Sequence, residues 1–102
     1  MAPLPTPPAW LLACVVCADL HELYRSHLAA GRQAATLLVQ EELARHVTAD
    51  HLDRVPAYVP DCTTCGEWRA VAADAGDAAR LVAAEDLRHR ACHLFAPSVP
   101  TS

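Results

Sequence analysis

The chain has 102 residues, the size of one ordinary domain, and a formal charge of −4 from 12 carboxylates set against eight arginines and no lysine. That acidic balance lacks the electrostatic footprint of a general nucleic-acid binder, and no run approaches the ~20 apolar residues of a membrane span. Over half of the residues are apolar, but many are alanine and the aromatics are one Phe, two Trp and two Tyr, which implies a helical chain with a thin core that gains from cross-links.

Residues 1–8, MAPLPTPP, form a proline-rich arm expected to be flexible and non-helical. The arm has neither the positive charge nor the long apolar stretch of a secretory signal, so the chain reads as cytoplasmic. From Ala9 to Ala30 the sequence is helix-compatible and sets Leu12, Val16, Leu20, Leu23 and Leu28 near one face. Gly31 punctuates it, and a second run over 32–47 supplies Leu37, Leu38, Leu43 and Val47. Thr48 opens a short turn, and residues 54–60, with Pro56 and Pro60, read as a link. Asp61 is the expected N-cap of a third run over 62–75. After Gly76 and Asp77 a fourth run covers 78–95, with Leu81, Val82, Leu87, Cys92 and Phe95 facing inward, and residues 96–102 form a tail. The expected fold is all-α, two helical hairpins of four helices in a single domain over 9–95, with halves 9–53 and 61–95.

The halves share a plan: Cys-x-x-Cys, helix, Gly, helix, His. A shift of 44 positions lays LLVQEEL at 37–43 on LVAAEDL at 81–87. Counting along the legs gives the plan a geometric meaning. Cys17 to Gly31 is 14 residues and Gly31 to His46 is 15, so at about 1.5 Å per residue His46 returns to the level of Cys17. Cys65 to Gly76 is 11 and Gly76 to His89 is 13, nearly the same reversal, with a glycine at each fold where a left-handed cap is needed.

Cys62-x2-Cys65 therefore faces His89-x3-His93, two imidazoles at i and i+4 on one helix face. Two thiolates with two imidazoles are the donor set of a tetrahedral zinc site. Cys14, Cys17 and His46 are expected to contribute to a second site. His51 is an alternative ligand there, but it lies five residues from His46 and converges only if the helix ends near Thr48. His21 is its rival, since Cys14, Cys17 and His21 share a helical face at i, i+3 and i+7. A third arrangement gathers Cys14, Cys17, Cys62 and Cys65 into one four-thiolate site. Cys92 reads as core, and Arg80, Arg88 and Arg90 as a solvated helix face.

These residues point to a zinc-binding helical module that acts by protein interaction or regulation and is not an enzyme, with its metal structural and homo-oligomers compatible with the pattern. Two other chemistries use the same cysteines. WLLACVVCADL can be read as strand, Cys-x-x-Cys and helix, and RVPAYV at 54–59 resembles the Val-Pro strand segment of glutaredoxin-type proteins, which implies thiol–disulfide exchange or redox sensing at Cys14 and Cys17. The residues between those cysteines, Val15 and Val16, depart from the usual proline and aromatic. The four paired cysteines would also suit an iron–sulfur regulator. In composition, lysine-free and rich in alanine and arginine with two Cys-x-x-Cys pairs, the chain resembles small proteins of high-GC actinobacteria, a resemblance that implies no particular activity.

Overall fold

Alanine- and leucine-rich runs broken by proline and glycine favour short helices joined by tight turns. The computed structural model describes residues 4–97; of the expected arm and tail, residues 1–3 and 98–102 lie outside the described residues. Five α-helices and no strand occur among the described residues: α1 (Ala9–Ala13), α2 (Val15–Ala29), α3 (Gln33–Asp50), α4 (Thr63–Ala73) and α5 (Ala79–Cys92). Short 3-10 turns cover Leu52–Arg54 and Gly76–Ala78.

The all-α class is as expected, with one helix more than the four expected. The extra break falls at Cys14, whose extended backbone (φ −83°, ψ 123°) ends α1 and makes it the N-cap residue of α2. Cys62 has the same role for α4 (φ −96°, ψ 114°), and its sulfur accepts the Cys65 backbone N–H at 3.4 Å. Both Cys-x-x-Cys pairs thus open a helix, the first thiol on the cap and the second in the first turn, where N–H groups lack intrahelical acceptors.

Gly31 reverses the chain between α2 and α3 with φ +72°. Its N–H bonds Leu28 O at 3.2 Å and the Arg32 N–H bonds His27 O at 3.0 Å, the paired closure that a left-handed residue permits at a helix end. Helix α3 then returns along α2, α5 packs on α3, and α4 packs on α5 and on no other helix. The core is Leu11, Cys17, Tyr24, Leu43, Ala44, Val47, Ala91 and Phe95, with Tyr24 edge-on to Phe95 at 5.4 Å. Helices α1, α2 and α3 and the α5 segment supply it; α4 supplies none of it.

The expected stripes are buried only in part: Val47 and Phe95 lie in the core and Leu20 and Leu28 pack against it. Leu12, Val16 and Leu23 are about half exposed, Leu37, Leu38 and Leu81 more so, and α2 instead buries Cys17, His21 and Tyr24. With Cys17 turned inward, positions i+4 and i+7 must follow it, and Val16 and Leu23 fall on other faces. Leu43, fully buried on α3, matches its expected place. Leu43→Ala is expected to lower the unfolding free energy by about 2–5 kcal/mol. Gly31→Ala, where the added methyl meets no atom within 4 Å, is expected to lose roughly 1–2 kcal/mol from left-handed backbone strain alone. Urea unfolding midpoints at unchanged slope measure both losses.

Candidate metal centres

At the start of α2 the Cys14 cap and the Cys17 first turn meet the C-terminal end of α3. Cys14 Sγ lies 3.4 Å from His46 Nε2. Helix α3 does not stop near Thr48 but continues to Asp50, and His51 then leaves helical geometry (φ −133°, ψ 40°). That departure offsets the unfavourable spacing of five, and the His51 ring comes to 5.2 Å from that of His46. One donor atom from each of Cys14, Cys17, His46 and His51 lies within 4.8 Å of every other.

The second cluster repeats this with different helices. Cys62 caps α4, Cys65 lies in its first turn, and His89 and His93 stand one turn apart at the end of α5. Cys62 Sγ is 3.4 Å from His89 Nε2 and Cys65 Sγ is 3.3 Å from His93 Nε2. The two imidazole rings are 5.0 Å apart, and the four donor atoms again lie within 4.8 Å of one another.

The Cys–His separations suit a shared ion. Zinc bond lengths of about 2.3 Å to sulfur and 2.0–2.1 Å to nitrogen place S and N about 3.6 Å apart on a tetrahedron. The observed 3.3–3.4 Å falls within a few tenths of an ångström of that edge. In the first cluster His51 Nε2 is buried and has no hydrogen-bond partner, an acceptor or donor left for something the protein itself does not supply. Each cluster could hold a metal ion.

Electrostatics favour a cation as well. The Cys17 backbone N–H, then the His46 and His51 imidazoles, hold the Cys14 thiol down at about 6. Burial, reinforced by neighbouring Cys14, pushes Cys17 up to about 12. Burial likewise raises the Cys65 thiol and lowers His89 and His93, keeping those imidazoles neutral and ready as donors. One thiolate forms easily in the first cluster; a second does not, unless a divalent cation replaces its proton.

A carboxylate completes only one site. Asp50 Oδ2 lies 3.0 Å from His46 Nδ1, so that nitrogen can donate to Asp50, and a metal that displaces the Nε2 proton would take the lone pair of that nitrogen. Among the described residues the second cluster has no counterpart to Asp50.

The structure brings together seven residues singled out from sequence, Cys62, Cys65, His89 and His93 in one cluster and Cys14, Cys17 and His46 in the other, with His51 as fourth member. His21 stays outside. It lies one turn beyond Cys17, about 6 Å along the axis, and is buried on the core-facing side of α2. The four-thiolate arrangement does not form, because the two Cys pairs belong to separate clusters. Nor does a glutaredoxin-like site: Trp10–Ala13 is helical and no strand stands beside Cys14 among the described residues. Cys92 packs against the core, its thiol raised to about 11 by burial, with Gln40 Nε2 donating to its sulfur at 3.7 Å. Sequence reasoning missed Asp50, although its place four residues after His46 was a usable signal.

No protein-family model, curated protein or solved structure matches the chain.

Asp50→Ala is expected to weaken metal binding at the first cluster about 10–100-fold and leave the second unchanged, as measured by competition with a chromogenic chelator in variants retaining one cluster. In metal-free protein, alkylation of Cys14 should rise through pH ~6 with its thiolate fraction while buried Cys17 stays unreactive to pH 9; bound metal should suppress both. Peptide mass mapping reads each cysteine separately.

Proposed function

We propose that the chain binds one structural zinc ion in each cluster and works as a non-enzymatic helical module that contacts a protein partner. The observation that carries this reading is the convergence of two sulfurs and two imidazole nitrogens, twice, at helix ends far apart in sequence. A tetrahedral S2N2 set favours zinc over harder metals, and a two-thiolate site with donors at single-ion separations favours it over a four-thiolate iron–sulfur cluster. Four protein ligands leave no position for a catalytic water, so the metal's contribution is folding free energy.

Five unpaired cysteines suit a reducing compartment, in keeping with the cytoplasmic expectation. No helix among the described residues is long and apolar enough to cross a membrane. Leu12, Val15, Val16 and Leu23 on α1 and α2 present apolar side chains to the outside, which supports contact with another protein surface. A second reading, thiol–disulfide exchange at Cys14, draws on its lowered pKa beside a helix start.

Native mass spectrometry with elemental analysis, on protein purified under reduction and without chelator, separates the two. Two zinc ions per chain are expected, with a fall in thermal midpoint when a chelator removes them. Metal-free protein with an unchanged midpoint and a reversible Cys14–Cys17 disulfide would replace the zinc module with the exchange reading.

A further inference from the structure

We infer that α4 is a metal-conditional element, docked on the rest of the fold by the ion of the second cluster, while α1, α2, α3 and α5 keep their packing without it. The inference rests on reading that cluster as a zinc site. Helix α4 has 11 residues, shorter than helices that persist alone in water, and carries Gly66 in its interior. Among the described residues its backbone lies beside α5 and no other helix. Its one fully buried side chain is Cys65, itself a ligand; Trp68 is the one other apolar side chain of α4 that is largely covered, and Val71 is 47% exposed. Beyond the ligands, the contact that ties α4 to the link is the Arg69 guanidinium over the Tyr58 ring, 5.2 Å away and on the surface.

Helix α5 is held differently. Ala91 within it and Phe95 just beyond it are core residues. Arg88 pairs with Glu41 of α3 at 3.5 Å, and buried Asp86 accepts the Tyr58 hydroxyl at 2.6 Å. Loss of the second ion therefore removes the attachment of α4 and leaves that of α5. The first cluster has no such separable part, because Cys17 belongs to the core beside Leu11 and Val47. Undocking would uncover the α5 face that bears His89 and His93. The chain would then present one surface when zinc is plentiful and another when it is scarce, a local opening coupled to ligand occupancy.

Hydrogen exchange with native mass spectrometry on the full chain tests this, comparing the zinc-loaded protein with Cys62→Ser/Cys65→Ser and with Cys65→Ala. The wild-type chain is expected to hold two ions and protect the amides of 63–73. Each variant is expected to hold one ion and exchange 63–73 at the rate of an unstructured peptide, with the protection of α2, α3 and α5 retained. A one-ion variant that still protects 63–73 would overturn the inference, as would loss of protection throughout the chain. A wild-type chain with no ion at the second cluster would instead overturn the zinc reading beneath it.

Discussion

Two thiols confined together with two imidazoles cannot both ionise easily, and each cluster gathers its helix ends around that constraint. In the first cluster the cap position and imidazoles draw one thiol down to about 6, while burial beside it drives the other up to about 12. Only a compact positive charge lets both sulfurs ionise in so little space. The donors that would share it come from segments 29 residues apart, Cys17 to His46, and 28 apart, Cys65 to His93. Whatever neutralises the sulfurs also closes these loops, so the charge requirement and the tertiary fold are satisfied together.

The first cluster also goes with the rotation of α2, which buries Cys17, His21 and Tyr24. A cysteine in its first turn must point toward α3, and His21 and Tyr24 are carried inward with it. Apolar residues that ordinary amphipathic patterning would bury are left outside: Leu12, Val16 and Leu23 on α1 and α2. The core that remains is small and leans on the edge-on contact of Tyr24 with Phe95. A metal ion would complement such a core because it stabilises without needing apolar area.

This division explains what could be read from the sequence. The meeting of Cys17 with His46 and of Cys65 with His89 followed from residue counts, because helix rise is uniform and Gly31 supplies the left-handed turn that reverses the legs. The pairing of His89 with His93 followed from a spacing of four, one residue in the last turn of α5 and the other its C-cap. What escaped was set by single backbone angles. Val15 and Val16 give no sign that the helix restarts at Cys14, and His51 converges only because its own φ and ψ leave the helix. The buried face escaped for another reason: hydrophobic periodicity assumes that leucine competes for the core only with other apolar residues. On α2 the buried positions are instead Cys17, His21 and Tyr24.

The two clusters share a donor set and a local design, yet they stand in different relations to the fold. In the first, Cys17 is a core residue, Trp10 packs on His51 at 5.1 Å, and Asp50 orients His46. An ion there would reinforce packing that already exists, and its binding would be coupled to the stability of the whole chain. In the second, the cysteines belong to a helix with no share of the core and the imidazoles to one that is anchored independently. An ion there would take the place of packing. Identical ligands can therefore report different free energies: a global one where the site lies within the cooperative core, and a local one where it is the attachment itself. Repetition of a metal motif within one small chain does not make its copies equivalent, because what each ion contributes depends on what already holds the elements it joins.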